Sequence, residues 1–247
     1  MMRTMTEARE VVVTGGGTGI GYAVAAAFLK AGDRVTITGR REKVLSEAAA
    51  LLGAKYVAFD AGDPAEVQAA LADLPGRVDV LVNNAGGNTD RTREAPAPGD
   101  LSGLADAWYA NLKANVLTTV LVTEALRPRL ADNGRVISIG SVAAKQGSNS
   151  YGAAKAAVEG WNSWAAQGFG KRGITSNVVA PGMVEDTEFF HNTVSDEWIQ
   201  ARIDGTLNKR AGTVDDIAAT VFFVASAGAG HITGQVIHVN GGAYGGH

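Results

Sequence analysis

Tyr151 and Lys155 stand four residues apart at the start of an expected helix, so they share one helix face. A free tyrosine has a pKa of about 10 and is a poor acid or base at neutral pH. A neighbouring ammonium favours phenolate and lowers that pKa toward the working range. Lys155 is placed to supply the charge, so the pair predicts proton transfer to or from a substrate oxygen. Two serines precede it, Ser138 by 13 residues and Ser141 by 10. Ser138 lies inside the expected strand Arg135–Ile139, between Ile137 and Ile139, whereas Ser141 lies just past its carboxyl end. Three residues of strand span about 10 Å. A hydroxyl that much deeper could not close to about 3 Å on an oxygen shared with Tyr151. Ser141 is therefore the expected partner for the substrate oxygen.

A second set of residues could hold a phosphate. Val11-Val12-Val13-Thr14 reads as a strand, and Gly15-Gly16-Gly17-Thr18-Gly19-Ile20-Gly21 as a turn entering an Ala-rich helix. Glycines let the backbone N–H groups approach a pyrophosphate at the helix N-terminus, where the dipole favours negative charge. The spacing is T-G-x-x-x-G-x-G and differs from G-x-G-x-x-G.

These groups need elements to position them. Expected strands are Val11–Thr14, Arg34–Thr38, Lys55–Phe59, Val80–Val82, Arg135–Ile139, Ile174–Val179 and Gln235–Val239. Expected helices are Ile20–Ala31, Glu42–Leu52, Pro64–Leu71, Leu101–Leu130, Tyr151–Lys171 and Val214–Ala225. Apolar strands alternating with helices predict an α/β fold, one doubly wound Rossmann-type parallel sheet of about seven strands with helices on both faces. The whole chain, 1–247, is expected to form one domain. Two segments after strands break the pattern, 86–103 with two prolines and 183–213 of mixed composition. Loops at strand carboxyl ends line the ligand crevice of such sheets, so these are expected as active-site rim and lid.

Composition narrows the function. Apolar residues make up 46%, enough for a sizeable core. The net charge of −3, from 22 basic and 25 acidic side chains, gives no basic excess for nucleic acid. The chain has no cysteine, which excludes disulfides and thiolate chemistry. His191, His231, His238 and His247 have no ligand spacing, so no metal is expected. Met1–Glu10 is polar, and no apolar run approaches the ~20 residues of a membrane span. The expectation is a cytoplasmic protein without membrane contact.

The motifs occur in an order that resembles the short-chain dehydrogenase/reductase family from Val11 to Gly242. They are Thr14-Gly15-x-x-x-Gly19-x-Gly21, Asp60, Asn83-Asn84-Ala85-Gly86, Asn115, Ser141, Tyr151-x-x-x-Lys155 and Pro181-Gly182. Gly173-Ile174-Thr175-Ser176-Asn177-Val178-Val179-Ala180-Pro181-Gly182, Ile232-Thr233-Gly234-Gln235 and Asn240-Gly241-Gly242 are most similar to 3-oxoacyl-acyl-carrier-protein reductases, although relatives with other substrates share them. The resemblance implies hydride transfer between a nicotinamide dinucleotide and a ketone or secondary alcohol, with a 3-oxoacyl thioester first. Other secondary-alcohol, polyol or sugar dehydrogenases are the alternative, and a catalytically silent dinucleotide-binding protein is a third reading.

The resemblance also assigns residues. Lys155 would bond the nicotinamide ribose, and Asn115 would hold a water that continues the proton relay. Asn111 on the same helix is a rival, but Trp108 and Pro128 stand at the family's offsets from Asn115. The expected cofactor set is Gly15, Gly17, Thr18, Gly19, Ile20, Arg40, Arg41, Asp60, Ala61, Asn84, Ala85, Gly86, Tyr151, Lys155, Pro181, Gly182, Val184 and Thr187. Enzymes using NAD place a carboxylate after the second strand to bind the ribose 2′-hydroxyl, while an arginine accommodates a 2′-phosphate. Here Gly39 is followed by Arg40 and Arg41, which favours NADP(H) over NAD(H). Thr18 departs from the Arg or Lys of many NADP-using relatives. Asp60 is expected at the adenine edge or as the cap of the helix near Pro64. Lys171, Arg172, Arg127 and Arg129 could dock an acidic carrier protein or stand as scattered surface charge. A substrate carried on acyl carrier protein or coenzyme A, and a homotetramer or homodimer, complete what the resemblance implies.

Overall fold

Strand-forming β-branched runs and Ala-rich helical runs alternate along the chain, and successive strands are joined by helices that return over the sheet. A computed structural model describes residues 8–185, 187 and 194–245. The strands are β1 (Glu10–Thr14), β2 (Arg34–Gly39), β3 (Lys55–Ala58), β4 (Val78–Asn83), β5 (Leu130–Ile139), β6 (Thr175–Pro181) and β7 (Val236–Val239). All pairings are parallel, in the order β3-β2-β1-β4-β5-β6-β7. The chain starts mid-sheet, builds outward to β3, then returns to the other side of β1. That reversal between β1 and β4 opens a crevice at the strand carboxyl ends.

The helices are α1 (Gly19–Lys30), α2 (Glu42–Leu52), α3 (Pro64–Ala70), α4 (Leu101–Leu112), α5 (Thr118–Leu126), α6 (Ala143–Gln146), α7 (Asn149–Phe169), α8 (Asp196–Asp204) and α9 (Val214–Val224). The central strands are buried on both faces, yet their side chains still alternate. Val11, Val13, Val80, Val82 and Ile137 join a core with α1, α2 and α9, including Phe28, Leu45 and Val221. Val12, Leu81 and Val136 face the other way, against Val67 of α3, Leu126 of α5 and Phe169 of α7. Phe28 and Phe169 are fully buried, each contributing roughly 1.5–3 kcal/mol by transfer from water.

One expected element is corrected. Leu101–Leu130 is not a single helix. A π-turn at Lys113–Leu117 separates α4 from α5, a 3₁₀ turn at Arg127–Arg129 follows, and Leu130 already belongs to β5. Pro128 lacks the N–H needed to continue the helix. The early start of β5 requires a register shift against β4 between Val78 and Val80. α8 lies within the expected lid and was not anticipated; its cap is Ser195, whose hydroxyl accepts from the Trp198 N–H. His191, His247 and part of segment 183–213 lie outside the described residues.

Candidate active site

Thr14, the last residue of β1, fastens the two sides of the crevice. Its hydroxyl accepts from the backbone N–H groups of Asn84 and Ala85, at 3.0 Å each. Asn84 Nδ2 returns two bonds, to the carbonyls of Thr14 and Gly15, both 3.0 Å. The turn after β1 is thereby tied to the loop after β4. Gly15 takes φ +65, and a Cβ on Gly21 would lie 2.2 Å from the Gly15 carbonyl oxygen. These two glycines let the turn fold tightly under the start of α1. Thr18, the N-cap of α1, makes no side-chain capping bond, and the first turn of the helix carries no acidic residue. The helix therefore presents backbone donors and the positive end of its dipole to the crevice.

The crevice is a cavity of about 1110 Å³. Gly15, Gly17, Thr18, Gly19, Ile20, Arg40, Arg41, Asp60, Ala61, Asn84, Ala85 and Gly86 line it, as do Pro181, Gly182, Val184 and Thr187. Ser141, Tyr151 and Lys155 line the same space. Arg40 and Arg41 are exposed just beyond the end of β2. Asp60 does not cap the helix near Pro64. That cap is Asp63, which accepts from the N–H groups of Ala65 and Glu66. Asp60 instead faces Lys113 at 3.5 Å.

Ser141 follows β5, and its hydroxyl is bonded to the Tyr151 phenol. Ser138 is buried within β5 and is absent from the cavity lining. Lys155 Nζ donates to the Ile139 carbonyl at 2.8 Å and sits 5.9 Å from the centre of the Tyr151 ring. The expected depression of the Tyr151 pKa is not found. Burial dominates and pushes it up to about 12, opposed by the Ser141 hydrogen bond and the positive field of Arg91. Burial also pushes Lys155 down to about 8. In both groups the neutral form is favoured because the low-dielectric surroundings penalise charge.

Asn115 sits in the π-turn, outside the cavity lining, and its side chain is engaged by the backbone of Gly87 and Asn111. Nδ2 donates to the Gly87 carbonyl at 2.8 Å and to Asn111 O at 3.0 Å, while Oδ1 accepts from Gly87 N–H at 3.2 Å. These bonds fix the loop after β4. Asn111 has a separate task, pinning the rim. Its Oδ1 accepts from Thr89 N–H at 3.1 Å, and Nδ2 donates to Asp90 at 2.8 Å and to Ser150 Oγ at 2.9 Å. Sequence reasoning missed the rim residue Arg91 and, on α8, Trp198 and Arg202, all of which line the cavity. Arg91 lies in a rim without periodicity by which to find it, and Trp198 and Arg202 lie in a segment of mixed composition that reads as lid and not as helix.

Comparison with known proteins gives the same picture. A family profile described as enoyl-(acyl carrier protein) reductase matches residues 15–244. The 3-oxoacyl-(acyl-carrier-protein) reductase of Salmonella typhimurium is 33% identical, over 96% of this chain and 98% of its own. A blue fluorescent protein from a metagenomic library, solved with NADPH, superposes with a TM-score of 0.85 at 30% identity, covering 96% of this chain and 98% of its own. A short chain dehydrogenase from Burkholderia cenocepacia, solved with NADP, gives 0.82 at 32% identity, covering 96% and 97%. With the parallel sheet, the Gly-rich turn at the crevice and the Ser141, Tyr151 and Lys155 cluster in place, the chain belongs to the short-chain dehydrogenase/reductase family of oxidoreductases.

Proposed function

We propose that this protein is an NADP(H)-dependent oxidoreductase that interconverts a ketone and a secondary alcohol. One observation carries the reading: a single cavity is lined at one end by the donor-rich start of α1 and by Arg40 and Arg41, and at the other by Ser141, Tyr151 and Lys155. The dinucleotide residues expected from the sequence would hold the cofactor there, the start of α1 serving its pyrophosphate and Arg40 and Arg41 its 2′-phosphate. The cofactor supplies the hydride. Ser141 orients the substrate oxygen, and the Tyr151 hydroxyl gives it a proton as the alcohol forms. A phenol pushed up to about 12 by burial holds that proton until an acceptor arrives. Charged Lys155 then stabilises the phenolate left behind. Asn115 acts one layer back by fixing Gly87 and the loop after β4.

The names of the curated relatives support a 3-oxoacyl thioester, on acyl carrier protein or coenzyme A, as the first substrate to test. The exposed apolar side chains of α4 and α7 support assembly through these helices. The deciding experiment measures turnover with NADPH and NADH across thioesters, simple ketones and sugars. Tyr151→Phe should lower kcat about 10²–10⁴-fold while dinucleotide binding stays intact. NADPH should be preferred about tenfold or more, the worth of one charge-assisted bond to phosphate, and Arg40→Ala should narrow the gap. Near-normal turnover by Tyr151→Phe would overturn the proton-donor assignment. Equal use of both cofactors by the unmodified protein would overturn the NADP(H) assignment.

A further inference from the structure

The cavity's charges are unevenly placed. Among the described residues that line it, the only carboxylate is Asp60, which faces Lys113 at the cofactor end. The end beside Tyr151 carries Arg91 from the rim and Arg202 from α8. Both guanidiniums pack on one indole, that of Trp198, at 5.5 Å for Arg91 and 4.9 Å for Arg202. Both cations therefore pack against the same aromatic ring. Arg91 is held below its usual range by burial and, to a smaller extent, by the field of Arg202, against the opposing field of Tyr151. Its field reaches Tyr151 as well. A cleft end that carries two guanidiniums favours ligands of opposite sign.

Arg91 is also held in place. Its neighbour Asp90 accepts from the Ser150 hydroxyl at 3.0 Å and from Asn111 at 2.8 Å. Ser150 directly precedes Tyr151, and Ser150 and Asn111 are fully buried, so this pin sets the rim, and with it Arg91, against the proton donor. Asp90 itself does not line the cavity, and its carboxylate is engaged by these two side chains.

We propose that the substrate carries a free carboxylate, bound by Arg91 and Arg202 beside Trp198, so that the reaction is the interconversion of an oxo acid and a hydroxy acid. The inference rests on the hydride-transfer reading above and narrows its substrate. A thioester would present a neutral acyl carbon to two guanidiniums, whereas a carboxylate accepts charge-assisted bonds from both.

The test uses oxo acids whose carboxylate lies one, two or three carbons from the ketone, each paired with its methyl ester, together with an acetoacetyl thioester. With NADPH, at least one acid should exceed its ester in kcat/KM by about tenfold or more. That ratio should collapse toward one in the Arg91→Gln/Arg202→Gln double variant and be partly kept in Arg91→Lys. Equal rates for every acid and ester, a ratio that survives in the double variant, or a thioester faster than every acid would each overturn the proposal. A parallel measurement needs no turnover. Calorimetry on the NADP⁺-loaded protein should show tighter binding of the matching hydroxy acid than of its methyl ester, and no preference overturns the proposal. If none of these compounds is reduced although the hydroxy acid is bound in preference, the hydride-transfer reading fails while carboxylate recognition stands.

Discussion

Tyr151 and Lys155 lie side by side in the same buried pocket, and burial drives their protons in opposite senses. Lys155 falls from an ordinary value of 10.5 to about 8. Below about pH 8 it is charged in the folded and unfolded chain alike, so its burial is a constant penalty. Between about 8 and 10.5 the folded chain has released a proton that the unfolded chain keeps, and stability rises with pH through that window. Lys155→Met should therefore abolish turnover yet stabilise the fold at pH 7 by up to about 3 kcal/mol, less the lost bond to Ile139. The gain should shrink as pH approaches 10.5. Thermal melts of both proteins at pH 7 and pH 10 check this, and an unstabilised variant at pH 7 would show that the burial penalty is met elsewhere. The two serines make a second comparison. Ser138 Oγ has no hydrogen-bond partner among the described residues, whereas Ser141 is bonded to Tyr151. Ser138→Ala should leave turnover nearly intact and removes a buried polar group without a partner. Ser141→Ala should cost far more turnover at similar stability. The opposite ranking, with both folded, would place the substrate oxygen at the wrong depth. Ser141, Tyr151 and Lys155 were legible because helix period and strand end fix their placement. The Tyr151 proton affinity was not, because a charge partner is visible in a spacing and desolvation is not.

The rim is where element-level reading ran out. Segment 86–103 was legible as an excursion after β4, but not as a pinned one. Its anchor is Asn111, fully buried at the end of α4. The π-turn that follows puts Asn111 and Asn115 to different uses, Asn111 on the rim and Asn115 on Gly87. Such a turn interrupts the 3.6-residue period within an otherwise helical run, which is why Leu101–Leu130 read as continuous. Asn111→Ala removes bonds to Thr89, Asp90 and Ser150 and leaves a buried donor and acceptor short of partners. We expect a stability loss of about 1–3 kcal/mol and faster amide exchange in residues 87–92, with little change in β4 or β5. Hydrogen exchange resolved by segment measures this. Unchanged protection of 87–92 would mean that the rim is held by its cavity contacts and not by α4. The strands, in contrast, were legible to within a few residues of their ends, since a parallel sheet covered on both faces demands near-continuous apolar runs.

At the scale of the molecule, apolar surface concentrates on α4, the π-turn and α7. Leu104, Trp108, Tyr109, Leu117 and Trp164 are exposed, and Trp164 remains 54% accessible although Arg127 stacks on its ring at 5.7 Å. A second copy of the chain covering these helices would remove that surface from water. Trp164→Glu should then shift the protein toward monomer in analytical ultracentrifugation, and a monomeric unmodified protein would exclude the arrangement. No helix among the described residues is long and apolar enough to cross a membrane. The fold class followed from strand–helix alternation, while assembly left no signal in the sequence beyond the resemblance itself. The central position of β1 has a consequence for biosynthesis. Val11, Val12 and Val13 emerge first, yet their neighbours on one side, Val80, Leu81 and Val82, come much later. At roughly 5–20 residues per second of translation, one edge of this apolar strand waits on the order of several seconds for its partner. During that interval the nascent chain holds β1, β2 and β3 with an open, sticky flank, and Thr14 has no Asn84 or Ala85 to bind. A chaperone that shields hydrophobic nascent segments would act on this chain at that stage, before the cofactor crevice exists.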